Sequence, residues 1–146
     1  MTITKTGGCQ CGRIRYTATL KNNEAYLCHC RMCQRATGGV SIAFVNVPQA
    51  DVVWEHEPDL YRSSPIAYRP YCRECGTPLG FRFVEGENCD LTVGSLDDPW
   101  DMIPTHHFGA ESMHEAWLDT STLPRDSSDS NPALVERWKR AGREMS

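Results

Sequence analysis

Residues 13–20 alternate: Ile14, Tyr16, Ala18 and Leu20 fall on one side, and Arg15, Thr17 and Thr19 on the other. A period of two sends successive side chains to opposite faces, so this stretch predicts a half-buried β-strand. Residues 40–47 are apolar on both sides, the pattern of a central strand covered on each face. Residues 80–84, 90–93 and 105–108 are shorter strand candidates. One short helix fits residues 31–37, ahead of Gly38 and Gly39. Short strands punctuated by Gly and Pro, with few helices among them, predict an all-β sandwich or folded sheet.

This pattern occupies residues 1–118, which read as one β-rich body. Residues 119–131 are polar and rich in small side chains, the composition of a linker. Residues 132–146 read as a C-terminal amphipathic segment, helical to residue 144. Pro132 suits a first helical position and Asn131 its cap. Leu134, Val135, Trp138 and Ala141 then recur at helical spacing. That stripe suits docking on the chain's own body or on a second subunit, and a homo-oligomer contact would run through it.

Composition narrows the classes of function. A length of 146 residues fits one domain. The net charge of -4 disfavours nucleic acid as the main partner, because binders of the phosphate backbone are generally basic. No apolar run of about 18 or more residues is present, so no membrane span is expected. Residues 1–7 lack the apolar stretch of a secretory signal, and the expectation is a cytoplasmic protein with reduced thiols. This matters because the chain has 8 cysteines. In an exported protein they would read as a disulfide framework, whereas here clustered thiols read as metal ligands.

The cysteines fall into four groups: Cys9 and Cys11; Cys28, Cys30 and Cys33; Cys72 and Cys75; and Cys89 alone. Gly12 follows the first group and Gly76 the third, and glycine lets a backbone turn tightly around a metal-bound sulfur. The two groups therefore look like matching knuckles of one site. A structural zinc takes four ligands in a tetrahedron, and two plus two complete it. Such a closed site has no room for a substrate and ties together distant parts of the chain. Cys28, Cys30 and Cys33 remain as a three-ligand site, which keeps a position open as catalytic zinc does. Soft thiolates select zinc over hard ions. Three of them leave the metal a weak Lewis acid for water but open to a fourth sulfur, which argues for thiol chemistry over hydrolysis. Arg31, Arg35 and the amino end of the helix after Cys30 would offset the negative charge and lower the thiol pKa values.

Other readings stay open. The knuckles could be disulfides, although a Cys-x-Cys bridge is strained. The trio could be a second closed zinc site, completed by His29, Cys89 or a distant histidine, or it could be redox-active. Cys89 alone reads as a small buried hydrophobe. His29, between two ligands, is expected to face away from the metal. His106 and His107 adjoin on a strand, so only one of them faces a given side.

Gly7-Gly8-Cys9-Gln-Cys11-Gly12, Cys28-His-Cys30-Arg-Met-Cys33 and Cys72-Arg-Glu-Cys75-Gly-Thr-Pro-Leu79 together resemble the glutathione-dependent formaldehyde-activating family, also called the centromere protein V family. Residues 94–99, 106–108 and 116–119 look like its later segments, and the resemblance covers residues 7–125. It implies a β-tent of antiparallel sheets pinned by a structural zinc on Cys9, Cys11, Cys72 and Cys75. It also implies a catalytic zinc on Cys28, Cys30 and Cys33, and so two zinc ions per chain. The implied activity joins glutathione and formaldehyde into S-(hydroxymethyl)glutathione, a carbon–sulfur lyase reaction in reverse. The expected partners are then a small thiol, glutathione or an analogue, and an aldehyde. Arg31 and Arg35 would meet the carboxylates of glutathione, with Arg69, Arg73 and Arg82 as further cations. His106 or His107 would serve the adduct oxygen with a proton. The competing expectation is a non-enzymatic zinc module for a protein partner or a metabolite thiol.

Overall fold

Residues 1–144 are described from a computed structural model, so Met145 and Ser146 of the expected C-terminal segment lie outside the described residues. The strands are β1 (Ile3–Gly8), β2 (Arg15–Leu20), β3 (Glu24–Cys28), β4 (Ile42–Pro48) and β5 (Val52–Trp54). They continue with β6 (Asp59–Ser64), β7 (Ala67–Tyr71), β8 (Gly80–Phe83), β9 (Asn88–Thr92) and β10 (Ile103–Phe108). Two α-helices accompany them, α1 (Arg31–Thr37) and α2 (Pro132–Ala141). Among the described residues no helix is long and apolar enough to cross a membrane. The chain divides into two compact units, Met1–His114 and the segment from Glu115 onwards.

The first unit holds two sheets, one of three strands in the order β1-β2-β5 and one of seven in the order β10-β3-β4-β9-β8-β7-β6. Pairing is antiparallel throughout except that β10 runs parallel to β3. Parallel neighbours need a long connection, and most of the unit separates these two strands in sequence. The register slips between Pro104 and His107, where Pro104 has no N–H for the ladder.

The strand at 13–20 forms as expected, beginning at Arg15, and Ile14, Tyr16, Ala18 and Leu20 are all buried. The two-sided apolar pattern at 40–47 becomes β4, flanked by β3 and β9. β4 separates two clusters. Val45 and Val47 join Ile14, Tyr16, Leu79 and Leu91 in the larger core. Phe44 and Ile42 face a smaller cluster with Cys28, Cys33, Tyr26 and Phe81. Cys9 and Cys72 belong to the large core, and the other cysteine group to the small one. Tyr16 passes through the core to bond the Ser95 hydroxyl at 2.7 Å.

Five strands were not expected from the pattern: β1, β3, β5, β6 and β7. In β1 an inward position is occupied by Lys5, which is buried with its ammonium on Asp98 O at 2.8 Å and Asp101 Oδ1 at 2.5 Å. A lysine there hides the alternation. β6 is an edge strand with no fully buried position, so it carries no apolar signal.

In the second unit Asn131 Oδ1 accepts from Leu134 N at 3.1 Å, and Pro132 opens α2. Leu134, Val135 and Trp138 are half-buried. The helix stops at Ala141, short of the expected residue 144, because Gly142 turns left-handed at φ 67° and its N–H caps the last carbonyls.

Gly80 lies close against Asp90 in the β8–β9 ladder. A Cβ there would sit 2.3 Å from the Asp90 carbonyl oxygen. Gly80→Ala is expected to push the strands apart at a cost of about 1–3 kcal/mol, read as a thermal midpoint lower by several degrees.

Candidate metal centres and the cavity beside them

Two tight turns bring the first four cysteines together. Gly12 N–H donates to Cys9 O at 3.1 Å, and Gly76 N–H to Cys72 O at 2.7 Å. Both glycines have positive φ, 83° and 79°. The backbone thus reverses after each knuckle and turns its sulfurs inward. The Sγ atoms of Cys9, Cys11, Cys72 and Cys75 lie within 4.8 Å of one another. Cys9–Cys11 is 3.5 Å and Cys11–Cys72 is 3.8 Å. A tetrahedron of M–S bonds near 2.3 Å has an edge of about 3.8 Å, whereas a disulfide is about 2.0 Å. All eight cysteines are unbridged, so the spacing fits a metal and not a disulfide. Surrounding donors reach the sulfurs, but at Cys11 the Arg13 backbone N–H is outweighed by the neighbouring cysteines, which push the thiol up. Ile14 N–H lies 3.2 Å from Cys9 Sγ, and Arg13 Nη1 lies 3.7 Å from Cys72 Sγ while pairing with Asp59 at 2.7 Å. The Thr77 hydroxyl, 3.2 Å away, is the largest of the influences that hold Cys75 down to about 5.

The second cluster sits where β3 ends and α1 begins. Cys28 closes the strand, Cys30 caps the helix, and Cys33 lies on its first turn, with its N–H 3.4 Å from Cys30 Sγ. Cys28 Sγ is 3.6 Å from Cys30 Sγ and 3.4 Å from Cys33 Sγ, again tetrahedral-edge distances. Arg69 reaches from β7, itself buried, to place Nη2 3.4 Å from Cys33 Sγ. The hydrogen bond from Cys28 is the main influence bringing Cys33 down to about 5, with Arg69 acting in the same direction against burial. The same bond and burial push Cys28 up. Either cluster can hold a metal ion; the first supplies four sulfurs and the second three.

The three-sulfur cluster forms part of the wall of a cavity of about 440 Å³. Tyr26, Phe44, Phe81, Phe83 and Phe108 line most of it, with Ile66 and Met32 at its rim. Polar groups there are few: Arg69, Asn46, Ser64, Asp90 and His106. Asp90 accepts from Asn46 Nδ2 at 3.0 Å, and burial raises its pKa.

The histidines divide by strand alternation. His106 lines the cavity and stacks on Tyr26, with ring centroids 5.2 Å apart. His107 bonds His29 across 2.8 Å between Nδ1 and Nε2. His29 is buried, and its backbone carbonyl takes a 2.6 Å bond from Gln34. Arg31 and Arg35 are exposed on α1 and do not line the cavity; Arg31 bonds Gln34. Arg73 is exposed, and Arg82 lies against Tyr68. Cys89 is buried in the large core, where desolvation pushes it up to about 11, as befits a small hydrophobe. The aromatic cavity and Asp90 were not foreseen. Phe44, Phe81 and Tyr26 come from three different strands, and no local spacing joins them.

A β protein with one four-sulfur and one three-sulfur cluster has the side chains to hold two metal ions. Residues 4–112 match the family described as glutathione-dependent formaldehyde-activating enzyme, and the chain belongs to that family. It is 30% identical over 82 residues to an uncharacterized lyase of Schizosaccharomyces pombe. That match covers 56% of this chain and 60% of the relative's length. A crystal structure of a Rhodobacter sphaeroides protein shares the fold with a TM-score of 0.57 at 22% identity, covering 70% of this chain and 98% of the other.

The two clusters predict different outcomes on losing a ligand. In metal-loaded protein, Cys72→Ser should release one ion and cost several kcal/mol, since structural metal binding is folding energy. Cys30→Ser, at the half-buried helix cap, should release the other ion while the circular dichroism of the sheets persists. Metal content per chain, measured beside thermal melts, checks both.

Proposed function

We propose that the protein is a zinc-dependent carbon–sulfur lyase/synthase acting on thiol–aldehyde adducts, of the S-(hydroxymethyl)glutathione synthase type. The observation that carries this reading is the three-sulfur cluster in the wall of a cavity, set apart from the closed four-sulfur cluster. The all-thiolate donor set favours zinc. Zinc held by Cys28, Cys30 and Cys33 would supply an open coordination position and favour the thiolate form of an entering thiol.

The chain's own groups do the rest. Arg69 offsets the negative charge of the sulfur cluster through Cys33. Arg31 and Arg35, one helical turn apart on exposed positions of α1, are the cations for the carboxylates of glutathione. The body of the thiol then lies outside the cavity with its sulfur at the mouth. In the synthetic direction the thiolate sulfur bonds the carbonyl carbon. The C=O π pair moves to oxygen, and the oxygen takes a proton. His106, on the cavity wall, is placed to supply that proton. In the lyase direction the C–S bond breaks and the proton returns. The gain comes from thiolate population and positioning. Reduced thiols in both clusters accord with a cytoplasmic location.

Glutathione titrated into zinc-loaded protein by calorimetry, with metal counted beforehand, is expected to bind the wild type and to lose at least about tenfold in affinity in Cys33→Ser. No binding to wild type with two zinc ions per chain would sink the reading and favour a non-enzymatic zinc module.

A further inference from the structure

We infer that this site prefers, over formaldehyde, an aldehyde carrying a bulky apolar substituent, of phenyl or medium-chain alkyl size. This rests on the thiol–aldehyde reading above and names its substrate class.

The cavity beside the three sulfurs measures about 440 Å³. Formaldehyde has no substituent and is little larger than a water molecule, whose share of liquid volume is about 30 Å³. It would leave nearly all of that space to water against aromatic walls. The walls are built as a packed aromatic surface. Phe81 and Phe83 meet edge-on at 5.1 Å between centroids, and Tyr26 lies 5.8 Å from Phe44 and 6.4 Å from Phe108. Such a lining is costly to leave wet and is suited to an apolar occupant of ring size.

Glutathione itself does not suit the interior. Its two carboxylates would meet Asp90, and Arg69, the one arginine or lysine lining the cavity among the described residues, lies beside the Cys33 sulfur and over the Phe81 ring at 5.1 Å. Charged groups belong outside, so the apolar volume falls to the substituent on the carbonyl carbon. Burial of a phenyl ring there is worth roughly 100-fold in kcat/KM when the ring is held in the transition state.

The test uses the zinc-loaded full chain and glutathione with two aldehydes, formaldehyde and phenylacetaldehyde. Exchange between free aldehyde and hemithioacetal is followed by NMR and divided by each background rate. The expected kcat/KM ratio is about 100-fold in favour of phenylacetaldehyde. Ile66→Asp and Phe83→Asp, both at exposed rim positions, should fold and reduce that ratio at least tenfold. A second readout needs no turnover. 2-Phenylethanol, which has no carbonyl, should bind the wild type saturably, with NMR contacts to Phe81 and Phe83, and should lose that binding in Ile66→Asp. Acceleration of both aldehydes with formaldehyde equal or preferred overturns the inference and leaves the lyase reading standing. So does glutathione binding without any binding of 2-phenylethanol, or a ratio that ignores both rim variants. Acceleration of neither aldehyde overturns the lyase reading and this inference with it.

Discussion

Sulfur atoms held 3.4–3.8 Å apart without a covalent bond are the constraint on which this structure depends. Two thiolates at that distance repel by about 5 kcal/mol at an effective dielectric of 20. That is comparable to the whole stability of a typical domain, so the sulfurs must either share protons, as Cys28 does with Cys33, or share a cation, and either cluster can hold one. In the four-sulfur cluster the consequence is architectural. Cys9 and Cys11 follow β1 of the three-stranded sheet, while Cys72 and Cys75 form the turn between β7 and β8 of the seven-stranded sheet. The cluster therefore joins the two sheets. The Tyr16–Ser95 bond and the Gly7–Leu96 bridge add connections close to it. Gly7 must be glycine there, since a Cβ would lie 2.5 Å from the Tyr16 hydroxyl.

β4 then divides the unit into a structural half and a chemical half. Its odd positions Val45 and Val47 close the large core around Cys9 and Cys72, and Phe44 faces the other sulfurs. The same division appears in the two arginines that approach sulfur. Arg13, beside Cys72, is shared with the carboxylate of Asp59. Arg69, beside Cys33, lies against an aromatic ring inside a cavity. The first pairing is that of a closed joint. The second leaves positive charge next to the less saturated cluster, on the side that a ligand can enter.

The parts legible in sequence were those written locally. Cys-x-Cys and Cys-x-x-Cys with a following glycine fixed both knuckles, since a turn around a sulfur needs only three or four neighbours. Alternation fixed β2, and two-sided apolarity fixed the central place of β4. Alternation also separated His106 from His107, although not which of them would face the sulfurs. That depended on β10 running parallel beside β3, a pairing between remote segments. Arg69 was visible only as one cation among several, because its partner Cys33 is brought to it by the β7–β8–β9–β4 order of the sheet. The cavity was invisible for the same reason. Lys5 shows the opposite failure, a local signal that misleads: a buried lysine satisfied by Asp98 and Asp101 makes an inward strand position look solvent-facing.

The placement of an apolar cavity against a charged sulfur cluster has its own logic under the proposed chemistry. Water competes with a thiol for a carbonyl carbon, and in bulk solvent it is present in vast excess. A wall of Phe44 and Phe81 offers water no side-chain hydrogen-bond partners on one side of the site. On the other side, Cys28 and Cys33 are buried and Arg69 is nearly so. Electrostatic attraction between the arginine and sulfur is stronger there than at a wet surface. The result is a site in which the Cys33 sulfur is favoured as thiolate beside a wall that holds water poorly. That combination favours C–S bond formation over hydration, and it requires the second, smaller core that β4 sets apart from the first.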